Sequence, residues 1–218
     1  MTTNMKIVSI NAAKKERLKG PKGSMETGIF KMPLPGSAKI TSLGVQGDAI
    51  VNKAVHGGED QALYIYSEED YALWSSELAK KLAPGIFGEN LTVSGLDVSA
   101  LVIGDKLEIA DVVLEITAPR TPCLKLAARM EDSGFAKKFV KAGRPGAYAR
   151  VLNEGTINID DKITLTKTNL DYASIMEVFT EWHAKNRSLT VLEKALNSPI
   201  SIHHKIKIQQ WYDDKSQL

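Results

Sequence analysis

The only cysteine of the 218-residue chain, Cys123, lies in Thr117-Ala118-Pro119-Arg120-Thr121-Pro122-Cys123-Leu124-Lys125, with two cations close beside it. A thiolate is both a nucleophile and a soft metal ligand, and a neighbouring cation favours it over the thiol. Arg120 and Lys125 are placed to supply that cation. The bland alternative is a small buried hydrophobe, the usual fate of a lone thiol. In Val55-His56-Gly57-Gly58-Glu59 an imidazole precedes two glycines, so backbone could approach a ligand while His56 donates to a phosphate or carries a proton. An ordinary turn with an incidental His reads the same way. Pro84-Gly85-Ile86-Phe87-Gly88-Glu89-Asn90 offers a carboxyl and an amide beside a glycine, which suits either a polar ligand or a plain turn. Arg144 and Arg150 add cations after a glycine-punctuated loop. His56, Arg120, Lys125, Arg144 and Arg150 make an anion-binding set if their loops converge, which spacing along the chain does not decide.

The elements that must position these residues are mostly short strands. Lys6–Asn11 alternates as a strand, and the basic stretch Lys14–Gly23 reads as an exposed loop. Short apolar runs follow, punctuated by Pro33, Pro35 and Gly36, and Gly44-Val45-Gln46-Gly47-Asp48 suits a tight turn. Ser67 caps an expected helix with acids in its first turn and Tyr71, Trp74 and Leu78 on one face. From Leu101 onward Lys106–Ile109 and Val112–Thr117 alternate as strands, so the Cys123 segment directly follows a strand. Closely spaced strands with few helices between them argue for a barrel or closed sheet rather than a βαβ fold. Leu126–Val140 reads as helical, interrupted near Ser133-Gly134.

Composition excludes little except a general nucleic-acid binder: Lys+Arg 28 against Asp+Glu 26 gives a net charge of +2. One cysteine forms no internal disulfide, consistent with a reducing cytosol. The polar start Met1–Lys6 and the short run Ile7–Ile10 are too brief for a signal or membrane segment, so the expectation is a cytoplasmic protein with no membrane partner.

Four ordered motifs, His56-Gly57-Gly58, Pro84–Asn90, Pro119–Lys125 and Gly146-Ala147-Tyr148-Ala149-Arg150-Val151-Leu152, resemble the MOSC domain family, most closely its YiiM-type members. The resemblance covers about the first three quarters of the chain. It implies a mainly β fold, a MOSC-type β-barrel over 1–166, followed by a small all-α three-helix domain over 167–218. It also implies that the molybdenum cofactor (molybdopterin) is bound, with Cys123 as the metal ligand. His56, Gly57, Gly58, Asn90, Arg120, Lys125 and, with a looser match, Arg150 would surround it. By the same resemblance Cys123, His56, Lys125 and Arg120 are the catalytic candidates in reducing N-hydroxylated purines and related compounds. The chemistry agrees: Arg and Lys match the pterin phosphate, and His56 or Lys125 could donate the proton that N–OH reduction needs.

After Leu165 the pattern turns helical: Tyr172, Ile175, Met176, Phe179 and Trp182, then Leu189, Leu192 and Leu196, then Ile202, Ile206 and Trp211. The aromatic residues read as packing and His203-His204 as surface. Such a unit could contact a redox partner or a second subunit, giving a homodimer. The chain has no Gly-x-Gly-x-x-Gly fingerprint and no cysteine set for an iron–sulfur cluster, so a reductase of this kind takes its electrons from a separate donor protein. The second class is a cofactor carrier or sulfur-transfer module, in which Cys123 holds its cargo without turnover.

Overall fold

The computed structural model describes residues 4–20, 23–49 and 58–217. In chain order come β1 (Lys6–Ala12), β2 (Glu16–Gly20), β3 (Gly23–Thr27), β4 (Met32–Pro33), β5 (Ser37–Thr41), β6 (Gly44–Val45), β7 (Leu63–Ser67), helix α1 (Glu68–Glu77), β8 (Leu91–Ser94), β9 (Lys106–Ile109) and β10 (Val112–Pro119). Helices α2 (Leu124–Arg129) and α3 (Phe135–Ala142) lead to β11 (Ala147–Asn153), β12 (Gly155–Asn158) and β13 (Ile163–Thr166), then α4 (Ile175–His183), α5 (Leu189–Asn197) and α6 (Ile202–Ser216). No helix among the described residues is long and apolar enough to cross a membrane.

The architecture is mixed α/β: a large open sheet with, among the described residues, six α-helices. Eight strands run in the order β13-β9-β10-β11-β7-β8-β1-β4, antiparallel apart from the parallel pair β7 and β8. The expected barrel is not formed. The free edge of β1 is shared: Asn11 and Ala12 pair with β4, while Lys6 meets the chain just before β13 through one isolated bridge to Lys162. Backbone bonds from Ile7 N to Asp161 O (3.0 Å) and from Ile163 N to Met5 O (2.9 Å) tie the ends together, yet no continuous ladder joins β13 to β1. The basic stretch after Lys14 is also not a plain loop: Glu16–Gly20 and Gly23–Thr27 pair as a hairpin with Arg17 opposite Glu26. Pairing satisfies backbone groups whatever the polarity of the side chains.

Strand β7 shows how the sheet serves two interiors. All five of its residues are buried because its alternate faces point into different cores. Leu63 and Ile65 join an aliphatic core with Leu107, Leu114 and Ile116, whereas Tyr64 and Tyr66 enter an aromatic one with Trp74, Phe87, Phe135 and Phe139. Helix α1 is held at its start by Ser67, whose hydroxyl accepts from Asp70 N at 3.1 Å, and it buries Tyr71 and Trp74 in the aromatic core. The three C-terminal helices share the aliphatic core through Ile175, Val178, Leu192, Ala195 and Ile208. Of the expected surface pair, His203 is exposed but His204 is not. Its Nδ1 lies 2.8 Å from Ser201 Oγ and its ring packs against Trp182, because the first turn of α6 faces the end of β10. The junction includes a bond from Ser201 N to Thr117 O at 3.1 Å.

Candidate functional site

Strand β10 delivers the cysteine segment to the aromatic side of the sheet. A register shift between Ile116 and Ala118 twists the strand end, after which Ala118 pairs with Tyr148 and Pro119 with Ala147. Tyr148 in turn pairs with Tyr64 of β7. The two phenol rings stand 5.3 Å apart, and Arg120, the first residue past the strand, places its guanidinium 4.9 Å from the Tyr64 ring centroid.

Arg120 is only 5% exposed, and its Nη1 donates to the Phe87 carbonyl. Among the described residues no carboxylate pairs with it within ion-pair distance. Burial acts most strongly on it and against its charge, but Tyr64, Tyr148 and Cys123 together outweigh that and hold its pKa above the ordinary arginine range. Burial also pushes the Tyr64 and Tyr148 hydroxyls up, so both phenols stay neutral. Cys123 is half-buried against the aromatic core, in extended backbone immediately before α2, close enough to act electrostatically on Arg120 and Tyr148. The structure therefore brings Arg120, Cys123, Tyr64 and Tyr148 together.

The Pro84–Asn90 turn forms the facing wall. Gly85 has φ +87, and a Cβ there would lie 2.6 Å from the Lys31 carbonyl, so the turn requires glycine. Glu89 is fully buried. Its Oε1 accepts from Gly85 N (2.6 Å), Thr92 Oγ1 (2.9 Å) and the Tyr71 hydroxyl, while Oε2 has no partner among the described residues. Burial, opposed by those donors, raises its pKa. Asn90 is spent on structure: Oδ1 accepts from Tyr64 N at 3.2 Å, and Nδ2 donates to Asp48 Oδ2 at 2.8 Å. Asp48 also receives the Lys31 ammonium and, at 2.8 Å, Ala13 N. Burial lowers the Lys31 pKa against the pull of Asp48, and the Arg120 charge lowers it further.

The other expected residues are dispersed. Lys125 lies at the rim, with Nζ 3.4 Å from the Glu26 carbonyl. Arg150 is paired with Asp60 (2.8 Å) and Glu115 (3.2 Å) and donates to Pro199 O (2.9 Å), so its charge is met within the protein. Arg144 lies 3.5 Å from Asp70. Gly58, at φ 80, precedes a short 3-10 turn, and the residue whose side chain continues from that turn into the Arg150 pair is Asp60. His56 and Gly57 lie outside the described residues.

Sequence reasoning missed Tyr64, Tyr148, Lys31 and Asp48. Tyr64 and Tyr66 on one face of a strand could have signalled an aromatic wall, but nothing local marks Lys31, whose partner lies 17 residues away. Among the described residues no three His, Cys, Asp or Glu side chains gather as a bare-ion site.

Residues 52–164, which carry the Cys123 loop and the buried arginine, match the MOSC domain model, and the chain belongs to that family. It is 31% identical over 159 residues to Protein YiiM of Escherichia coli strain K12, covering 71% of this chain and 70% of that one. The structure of YiiM from Geobacillus stearothermophilus superposes with a TM-score of 0.80 at 25% identity, over 95% of this chain and 99% of that one. A protein of Gibberella moniliformis named "Reductase" is 30% identical over 183 residues, 82% of this chain but 32% of its own length.

Proposed function

We propose that the chain is a molybdenum cofactor-dependent reductase of N-hydroxylated purines and related N-hydroxylated compounds. The observation that carries the reading is the buried Arg120 charge set against Cys123 with no carboxylate among the described residues to neutralise it. Burying an unmatched guanidinium is costly, so the site is completed by an anion: the Cys123 thiolate, an anionic ligand, or both. One thiolate beside a fixed cation and neutral phenols fits a metal that arrives in its own sulfur-rich, phosphate-bearing ligand. Family membership and the reductase-named relative support the same class.

In this reading Cys123 ligates the metal and Arg120 holds an anionic group beside it. Lys125 and His56 would be the proton donors, and Asn90 would act through structure, tying β7 to Asp48. Arg150, already paired with two carboxylates, acts as a strut between the sheet and the C-terminal helices. Residues 1–166 would carry the chemistry and 167–218 would support it. When bound, the cofactor supplies the two-electron redox change. Overall, an N-hydroxyl group takes up two electrons and two protons, its N–O bond breaks, and the products are the corresponding N–H compound and water. The electrons come from a donor protein.

The test is to express the chain in hosts able and unable to make the cofactor, then measure bound molybdenum and reduction of an N-hydroxylated purine with methyl viologen as donor. Metal and turnover only from the proficient host, both lost in Cys123→Ser, is the expected result. Metal retained without turnover under any donor points instead to the carrier or sulfur-transfer module, and no metal from either host overturns the reading.

A further inference from the structure

We propose that the surface formed by Leu124 and the lysine face of α3 is the docking site of an acidic electron-carrier protein, an inference that rests on the reductase reading. Charge is unevenly spread along the chain. Residues 120–144 hold seven Lys and Arg (Arg120, Lys125, Arg129, Lys137, Lys138, Lys141, Arg144) and two acids, Glu131 and Asp132, whereas the whole chain nets only +2. Of these cations, Arg120 is buried and Arg144 is paired with Asp70, and the lysines of α3 carry the outward charge. Helix α3 buries Phe135 and Phe139 completely and leaves Lys137, Lys138 and Lys141 exposed. Asp132 offsets Lys138 at 2.8 Å, but no described carboxylate reaches Lys137 or Lys141 within ion-pair distance. The β2–β3 hairpin, which carries both signs of charge, lies beside Lys125. Lys125 reaches the Glu26 carbonyl at 3.4 Å, Glu26 pairs with Lys15 at 2.6 Å, and Lys14 and Arg17 are exposed.

At this cationic face stands Leu124, 82% exposed and directly bonded in the chain to Cys123; it is the most exposed large apolar side chain described. A single exposed leucine is ordinary. An exposed apolar anchor next in the chain to Lys125 and to the proposed metal ligand Cys123, on a protein with a lysine-bearing helix face, has the composition of a transient, electrostatically steered interface. The occupant must be acidic by complementarity and must bring electrons, because the chain carries neither a dinucleotide fingerprint nor cysteines for a cluster. The Gibberella reductase agrees in one respect: the part matching this chain is 32% of its length, so there a matching unit is joined to a much larger remainder. Flavodoxin, an acidic FMN protein, is the probe. Two encounters, each oxidising a flavin hydroquinone to the semiquinone, supply the two electrons.

The test compares wild type with Leu124→Asp and with the triple variant Lys137→Glu, Lys138→Glu, Lys141→Glu. Both should lose about tenfold in kcat/KM for reduced flavodoxin. Both should keep wild-type turnover with methyl viologen, and wild-type rates with flavodoxin should fall as salt rises. Equal losses with both donors, or none with flavodoxin, overturn the proposal. Calorimetric titration with flavodoxin separates the two readings: if the wild type binds it but reduces nothing with either donor, the reductase reading fails while weakened binding in the variants upholds the docking face. Absence of binding by wild type sinks the docking face alone.

Discussion

The Arg120 guanidinium lies 4.9 Å from the centre of the Tyr64 ring while its Nη1 donates to the Phe87 carbonyl, so one buried cation joins the end of β10 to β7 and to the Pro84–Asn90 turn. Replacing it with Met removes the charge and leaves that carbonyl unsatisfied. Stability should fall by about 1–3 kcal/mol in urea titrations. Molybdenum retained by protein from a cofactor-proficient host should drop about tenfold, the worth of one charge-assisted bond. Arg120→Lys keeps the charge but not the planar fork and should fall between the two. Full metal content in the Met variant would contradict the role.

Glu89 is a buried acceptor for three donors on one oxygen. Glu89→Ala strands all three and should cost about 3–5 kcal/mol. Glu89→Gln preserves the acceptor and should cost about 1 kcal/mol. Because the raised pKa means that the folded state holds its proton more tightly than the unfolded chain, the contribution of Glu89 is fully present below the unfolded carboxyl range and is lost as pH rises. The Gln variant should show a flatter stability profile than wild type as pH rises above the carboxyl range in denaturant titrations.

His204 supplies the opposite pH dependence. Burial, helped by the neighbouring His203 charge and opposed by the Pro119 backbone, lowers its pKa from 6.5 to about 3. As pH falls below 6.5 the unfolded chain takes up a proton that the folded protein refuses, so stability present above 6.5 is lost toward about 3. About 2 kcal/mol should disappear between about pH 7 and pH 5. His204→Gln should flatten that interval, and an unchanged slope would assign the effect elsewhere.

Gly85→Ala tests the turn. With φ +87 and the Lys31 carbonyl 2.6 Å from the new Cβ, both the backbone conformation and the space oppose the methyl group. A loss of at least about 2 kcal/mol is expected, read from thermal or urea unfolding.

Local features were legible wherever the chain supplies its own partner. Ser67 caps α1 through the amide three residues on, the alternation of Lys106–Ile109 appears as buried Leu107 and Ile109, and the Cys123 segment follows a strand. Helical stretches appear where the C-terminal spacing placed them, and α6 is the longest of the described helices at 15 residues. Barrel closure was misjudged because alternation specifies strands without saying which edges meet, and β1 divides its edge between β4 and Lys162.

By itself, then, the sequence determined most of the strands and helices, the family, and the nearness of Arg120 to Cys123 along the chain, since each depends on spacing or on an ordered set of motifs. Tertiary structure alone decided which cations are neutralised. Arg150 is met by Asp60 and Glu115, and Lys31 by Asp48, while Arg120 is left against phenols and sulfur. The reason is physical: burial and charge compensation depend on strand register and loop convergence across tens of residues, and neither is written in local spacing.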